Sequence, residues 1–509
     1  KTLKKYMQLV SLGLTGAMAL SLAACGGSGS SAATGETGSD AGSASTAATD
    51  EVVTIKWITV GNGMPSNYDA WLEQVNPYLE EKIGVNIDME VVGWGDWDTR
   101  RNVVVNTAGD YDILFTNLNT YTNDVSNGAF MDITELVQTA SPDLYASIPA
   151  DFWEAMSVDG KIYGVPAMKD SSITEYLVLA DDAFEQYAPD YDPSTFTDLT
   201  DPELTEALQA ITDGSGQAAW PLSSSAATYL TYQYDTLGAG IIGMGVKYND
   251  PEAKVVSIFE QPEITEYLNL LRSWYQSGII NSDAATASED NSYKAASIAQ
   301  GWSGAAKTNW GPAMGTTATA VQWGPTVLSN DSVRGSISCI SANCQHPDKV
   351  LQFLELVNTD TYVRDLFYYG VEGDNWEYTD ETKTKVHKNN ADWSMAGYTQ
   401  GSYFTVTPTD QYDFNEYDEV AELNAAAEPS VLLGFSMDIE PVRDQVQNCI
   451  TICEKYKSEL LTGTRDPAEL VPQMMEELNG AGFQDVMTEA QSQVDAFMAS
   501  NPATAESAS

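Results

Sequence analysis

Apolar and polar positions over residues 52–116 alternate between two periods. The run VVTIKWITVG (52–61) is β-rich and ends on a glycine. NYDAWLEQVNPYLEEKIG (67–84) sets Trp71, Val75 and Leu79 at helical spacing and stops at Gly84, and VNIDMEVV (85–92) reads as a second strand. WDTRRNVVVNTAG (97–109) reads as a helix and YDILFT (111–116) as a short buried strand. Strands and helices that alternate with short links predict an α/β chain with a mostly parallel sheet. Ligands of such sheets meet the carboxyl ends of the strands, which points to Gly61 to Gly63, Gly93 to Gly95 and Asn117 to Tyr121.

The pattern continues with DGKIYGVPAMKD (159–170), a turn, a strand and an extended Val-Pro step, and then SSITEYLVLADDAFEQY begins a new strand–helix unit. A long, mostly helical region is expected to about residue 280. AASIAQGWSGAAKTNWGPAMG (295–315) predicts a strand that delivers Trp302 and a polar loop, and residues 335–374 read as a strand, a turn and a helix. Two helices close the chain. One has Asp466 as N-cap, Pro467 at its first position and Gly480 at its end; the other sets Phe483, Val486, Met487, Ala490, Val494 and Phe497 on one face.

Composition removes several function classes. Of 509 residues 43% are hydrophobic, enough for two or three domain-sized cores, and 24 Lys and Arg stand against 73 Asp and Glu for a net charge of −49. Nucleic acid needs a basic footprint and is excluded as a partner. With two histidines and no paired cysteine motif, zinc is not expected, and no metal or cofactor is implied. Cys449 and Cys453 fall on the core side of a predicted helix with Val442, Val446 and Ile450, whereas a bridge between Cys339 and Cys344 stays open.

Residues 1–24 combine a basic start (Lys1, Lys4, Lys5) with an apolar run from Leu9 to Ala24, the pattern of a secretory signal. Leu22-Ala23-Ala24-Cys25 resembles the bacterial lipobox, which implies cleavage before Cys25, diacylglycerol on its thiol and a membrane anchor. Residues 25–50 are rich in Gly, Ser, Ala and Thr and read as a flexible tether.

Beyond the anchor, GAFMDITELV (128–137), DGKIYGVP (159–166), SGII (277–280) and SANCQHPDKVLQFLELVNTD (341–360), in that order, resemble family 1 extracellular solute-binding proteins, the lipoprotein receptors of ABC importers. FYYGVEGDNWEYTDE, LLGFSMDIEPVRDQVQN and AGFQDVMTEAQSQVDAF resemble a LipO-like subgroup with its own C-terminal domain. The resemblance implies a two-lobed periplasmic-binding-protein-like (type II) α/β fold with a hinge, an inter-lobe cleft and a helical C-terminal part. Lobe 1 is expected at 51–168 plus about 336–375, lobe 2 at about 169–335 plus 376–499, and a disordered tail at 500–509. Crossings are expected near Val165–Asp170, Gly335–Ser341 and Gly373–Thr382. The family implies a monomeric, extracytoplasmic, lipid-anchored receptor that captures a carbohydrate, usually a mono- or oligosaccharide, by lobe closure and delivers it to membrane permease subunits.

The 12 Trp and 26 Tyr agree with sugar stacking, and candidate ligand residues follow the expected cleft. Trp302 reads as a cleft platform or a packed core indole, with Lys307 and Trp310 in the same loop. Asn62 and Tyr68 lie near a helix start, where Asn62 equally suits a glycine-rich turn. Asn117 and Tyr121 follow a strand; Trp94, with Trp97, either lines the rim or staples the next helix. Lys169 and Asp170 reach ligand hydroxyls or form a surface ion pair. Glu372 and Asp374 lie at an expected crossing, and Trp393 and Tyr398 in a loop suited to cover a cleft. Two rival readings remain: a binder of a peptide or another small polar solute, and a cell-surface glycoside hydrolase. For the latter, acid pairs among 73 acids decide nothing, and no catalytic residue is singled out.

Overall fold

The strand at Val53–Gly61 alternates little and is buried on both faces from Trp57 onward, as a central parallel strand must be. In the computed structural model, which describes residues 52–107, 110–118, 120–225, 227–288 and 294–501, it is the second strand of a five-stranded sheet. The signal segment, Cys25, the tether and residues 502–509 lie outside the described residues. The principal strands are β1 (Val53–Gly61), β2 (Val85–Gly93), β3 (Ile113–Thr116), β4 (Gly164–Pro166), β5 (Ile173–Ala180), β6 (Ala296–Gln300), β7 (Ala318–Leu328), β8 (Ile337–Ile340) and β9 (Glu428–Pro429).

The first sheet has the order β2-β1-β3-β8-β4. β2, β1 and β3 are parallel, and β8 and β4 close the edge antiparallel. The second sheet has the order β6-β5-β7-β9 and is mostly antiparallel. Helices that matter for the site are α1 (Tyr68–Ile83), α2 (Trp97–Asn106), α3 (Tyr121–Ser126), α4 (Ala150–Met156), α5 (Pro347–Thr359), α6 (Thr361–Tyr369), α7 (Glu416–Ala426), α8 (Arg443–Leu460), α9 (Pro467–Gly480) and α10 (Phe483–Ser500).

Two separate cores result. Ile55, Trp57, Trp71, Phe115, Phe353 and Phe367 fill the first. Leu177, Leu179, Trp220, Trp274 and Trp323 fill the second, joined by Val446, Cys449, Met474, Phe483, Val486 and Val494 of α8 to α10. The C-terminal helices therefore complete the second lobe and have no core of their own. Cys339, Cys344, Cys449 and Cys453 are all buried and free.

Two expectations need correction. The region to residue 280 holds a three-stranded sheet, Tyr234–Asp235, Met244–Lys247 and Val256–Ser257, between its helices. Gly245 permits this close pairing, since a Cβ there would stand 2.7 Å from the Asp235 carbonyl oxygen. The third crossing is also later than Gly373–Thr382. Trp376, Val386, Met395 and Val406 all pack in the first core, so the chain leaves the first lobe only after Val406.

The other two passages between the sheets run over residues 167–172 and 329–336. Side chains tie these passages to their surroundings. Asn424 of α7 donates to the Lys169 carbonyl (2.6 Å) and accepts from the Ser172 N–H (2.9 Å). Buried Arg334 donates to the Ala155 carbonyl (2.8 Å), the Ser157 carbonyl (2.9 Å) and the Ser436 hydroxyl (2.9 Å).

Glu175 on β5 is 6% exposed, and burial alone pushes its carboxyl up to about 7. A carboxyl raised in the folded state favours folding at low pH and loses that advantage as pH rises from its ordinary value of 4.5 toward 7. Above pH 7 the folded state then bears a cost of about 3 kcal/mol. Glu175→Gln is expected to raise the melting temperature at pH 8 and to change little at pH 4; an equal effect at both pH values contradicts this.

Candidate functional site

The carboxyl ends of β2, β1 and β3 lie side by side, and each is followed by an exposed apolar residue. Trp94 is 46% exposed, Met64 45% and Leu118 41%. Met64 is held in place by its sulfur, which accepts the Val91 N–H at 3.1 Å. Asn62 is exposed in the same turn, its N–H bonded to the Ser394 carbonyl (3.0 Å). Asn117 turns the chain after β3, its carbonyl accepting the Thr120 and Tyr121 N–H groups at 3.1 and 3.0 Å.

The segment after Trp393 lies against the end of β1. The Ser394 hydroxyl donates to the Gly63 carbonyl (2.9 Å), and a Cβ on Gly61 would meet the Ser394 carbonyl oxygen at 3.2 Å. This close approach delivers Tyr398 to Trp94, where the two rings stack with centroids 6.1 Å apart and planes 9° apart. An exposed indole backed by a phenol is a flat apolar platform with a polar edge.

Two adjacent, fully buried residues of α6 fix that segment. Arg364 donates to the Gly397 carbonyl (2.6 Å) and the Ser402 carbonyl (2.7 Å), with its guanidinium 5.3 Å from the Tyr368 ring centre. Asp365 accepts from the Thr407 N–H (2.8 Å), the Thr407 hydroxyl (2.6 Å) and the Tyr378 hydroxyl (3.0 Å). Burial raises the Asp365 carboxyl, and the Thr407 donors and the Arg364 charge oppose that shift.

Lys169 and Asp170 sit at the first passage between lobes, with Nζ and Oδ1 3.3 Å apart. Burial raises the phenols of Tyr398 and Tyr403, and the Asp170 charge adds to both shifts. Across from them, Trp302 is 8% exposed and packs in an aromatic cluster with Tyr417, Tyr368 and Tyr403. Tyr403 stacks on Tyr417 at 4.5 Å, and the Tyr368 and Tyr417 hydroxyls share a hydrogen bond. Glu419 accepts the Ser303 and Gly304 N–H groups at 2.8 and 3.0 Å, which fixes the turn after Trp302. Trp302 is thus a packed member of the inter-lobe cluster, although its Nε1 has no partner. Lys307 stands 5.5 Å from the Phe414 ring centre, and Trp310 lies 5.7 Å from Tyr176.

Of the residues singled out in the sequence, the structure therefore gathers Asn62, Trp94, Asn117, Asp170 with Lys169, and Tyr398 around the strand ends and the hinge. Others serve packing. Tyr121 is fully buried, its hydroxyl donating to the Met156 carbonyl (2.8 Å) and accepting the Tyr163 N–H (3.3 Å). The Tyr68 hydroxyl accepts the Met89 N–H (2.6 Å), and burial pushes its phenol up to about 12 despite that bond. Trp393 packs 5.8 Å from Trp71 and donates to the Phe367 carbonyl (3.0 Å). Glu372 accepts from the Tyr362 hydroxyl (2.9 Å) and Asp374 from the Asn67 amide (2.8 Å), so both brace α1 and α6.

Met64, Leu118, Tyr403, Tyr417 and Asn424 escape a sequence reading. A faint signal exists: Met64 and Leu118 are apolar in otherwise polar turns, and Arg364-Asp365 interrupts the apolar run of α6. A second groove, of about 1160 Å³, lies between α3, α4 and residues 157–160 on one wall and residues 434–440, α8 and α10 on the other. It contains none of the sequence-selected ligand residues. Among the described residues no group of three or more His, Cys, Asp or Glu is arranged for a metal, and no helix is long and apolar enough to cross a membrane.

Two α/β lobes joined by three passages, with an exposed aromatic pair and polar groups at the strand ends, are the architecture of a two-lobed solute-binding protein. Residues 73–370 match the bacterial extracellular solute-binding protein family, and the chain belongs to that family. Residues 431–499 match a domain of unknown function, DUF3502. The chain is 27% identical, over 95% of its length and 96% of the relative's, to a carbohydrate ABC transporter substrate-binding protein of Streptococcus pneumoniae serotype 4. It is similar in structure to the N-glycan transport solute binding protein NgtS of Streptococcus pneumoniae (TM-score 0.79, 23% identity, 88% of this chain and 99% of that one). The same protein in complex with Man5GlcNAc matches with a TM-score of 0.68 at 24% identity, over 88% of this chain and 99% of that one. An extracellular solute-binding protein of Bifidobacterium longum subsp. infantis matches with a TM-score of 0.61 at 16% identity, again over 88% and 99%.

Replacing Asp365 by Ala leaves three donors and a buried guanidinium uncompensated, and is expected to cost about 3–5 kcal/mol. Amide hydrogen exchange over residues 397–407 should accelerate with it; an unchanged melting curve and exchange pattern would sink the assignment.

Proposed function

We propose that this protein captures a carbohydrate, an oligosaccharide, in the cleft between its lobes and delivers it to the permease subunits of an ABC importer. The observation that carries the reading is the exposed Trp94 stacked on Tyr398 at the strand ends, beside Asn62 and the hinge carboxylate Asp170. Sugar rings place a C–H face on indole and their hydroxyls on carboxylates and amides, and this cleft offers both. The carbohydrate ABC transporter relative and the NgtS complex with Man5GlcNAc support the same cargo class. The protein works as a monomer, without a cofactor or a chemical step, because binding and lobe closure suffice for delivery.

Isothermal titration against a panel of oligosaccharides and peptides tests this reading. Saccharide binding is expected, with Trp94→Ala weakening it about 10- to 100-fold, a loss of roughly 1.4–2.8 kcal/mol, while the melting temperature of the free protein stays unchanged. Binding by peptides alone would overturn the cargo, and release of shortened glycans would favour a hydrolase.

Cys25 is the proposed lipid attachment point, holding the receptor on the extracytoplasmic face of the cell membrane. Cys25→Ala should shift the protein from the membrane fraction to the medium; a variant that stays membrane-bound at mature size contradicts the anchor.

A further inference from the structure

An exposed indole serves as a platform only when the chain beneath it is held, and Trp94 follows the strand with the fewest strand neighbours. β2 lies at the free edge of the first sheet and pairs with β1 alone. Such an edge leaves a row of backbone N–H groups facing outward. Here they are taken by side chains. Asn76 Oδ1 accepts the Ile87 N–H at 2.8 Å, the Tyr68 hydroxyl the Met89 N–H at 2.6 Å, and the Met64 sulfur the Val91 N–H at 3.1 Å. Tyr68 and Asn76 stand eight residues apart on α1, and Met64 four residues before Tyr68. One line of side chains therefore follows the edge toward Trp94.

A second tie closes the loop that carries the indole. Arg100 of α2 forks onto Glu90 of β2, Nε to Oε1 at 2.6 Å and Nη2 to Oε2 at 2.7 Å. The fork holds the Glu90 carboxyl below its ordinary range. Between these two residues lies the loop 91–99, with Trp94 inside it and the Asp96 N–H bonded to the Gly93 carbonyl at 3.0 Å. Trp97 anchors the start of α2, buried and edge-on to Phe115. The Glu90 and Arg100 side chains are 42% and 38% exposed, and an ion pair of that exposure adds little stability. What a bidentate fork adds is fixed geometry. An indole already held in place loses less freedom when a sugar stacks on it.

We propose that Tyr68, Glu90 and Arg100 are positioning residues for carbohydrate capture, which touch no ligand and act by holding the Trp94 platform in place. This rests on the carbohydrate-capture reading above. A double-mutant cycle on the full protein tests it. Tyr68→Phe removes the acceptor oxygen, Glu90→Gln the carboxylate charge, and Arg100→Lys the fork with its charge retained. Each variant is titrated calorimetrically, alone and in the Trp94→Ala background, with the oligosaccharide of the panel above that binds the unaltered protein tightest. Alone, each change is expected to weaken binding about three- to tenfold, and with Trp94→Ala present by less than about twofold. Glu90→Gln and Arg100→Lys, at half-exposed side chains, should leave the melting temperature in place, so these two arms stand even where Tyr68→Phe folds poorly.

A loss of equal size in both backgrounds overturns the positioning role of that residue and leaves carbohydrate capture standing, as does unchanged affinity in its single variant. A Trp94→Ala protein that binds saccharide as tightly as the unaltered one removes the platform, and this proposal with it. No saccharide binding by the unaltered protein removes both readings.

Discussion

Burying Arg364 and Asp365 side by side in α6 costs desolvation that no surface ion pair would incur, so the structure must recover it through hydrogen bonds. It does so with backbone carbonyls and N–H groups of a single segment. Arg364 holds residues 397 and 402, and Asp365 holds residue 407. Because those partners are backbone atoms, the pair fixes the path of the chain rather than the identity of its side chains. Tyr398 meets Trp94, Tyr403 meets Tyr417 and the third passage between lobes starts after residue 406, all as consequences of that path. An apolar pair in α6 would pack, but it would leave the loop free to choose among many conformations.

The passages between lobes follow the same logic. Asn424 pairs with the backbone on both sides of Asp170, and the Tyr403 N–H donates to the Met168 carbonyl (2.7 Å). Each bond ties a passage to a segment distant in sequence, so the hinge is fixed locally while the two cores stay separate. Between the lobes, the contact is built from flat rings with a polar atom at the edge, the phenols of Tyr368, Tyr403 and Tyr417 and the indole of Trp302. Such a surface has no deep interdigitation to undo, which suits lobes that must part and close.

How much of this was legible in the sequence depends on the range of the interaction. The parallel β1, β2 and β3 with their intervening helices were readable, because local periodicity and glycine stops determine them. The strand-end positions of Asn62, Trp94 and Asn117 were readable by the rule that ligands meet strand ends, and Tyr398 by its glycine-punctuated loop. Tyr121 and Trp393 satisfied similar patterns, yet their polar atoms are taken by the Met156 and Phe367 carbonyls, partners 35 and 26 residues away that no local pattern displays. The third crossing was misplaced for the same reason. Arg364 and Asp365 select residues more than 30 positions downstream, and a helix with two charges in an apolar stretch does not say what they will hold.

The C-terminal helices invite a different conclusion from the one their separate family match suggests. Leu432 enters the second core and Leu433 the first, so residues 432–433 lie where both lobes meet. From there Phe435 joins the second core, Ser436 accepts from Arg334, and the Asp438 N–H and carbonyl pair with the Gln493 amide at 2.8 Å each. α8 to α10 supply apolar side chains to the same core that Leu177 and Leu179 of β5 and Trp323 of β7 line. A segment with no core of its own cannot move apart from the core it completes. Lobe closure therefore carries α8 to α10 with the second lobe, and Arg334, bonded to Ala155 and Ser157 on one side and Ser436 on the other, is the side chain across which that motion must be accommodated.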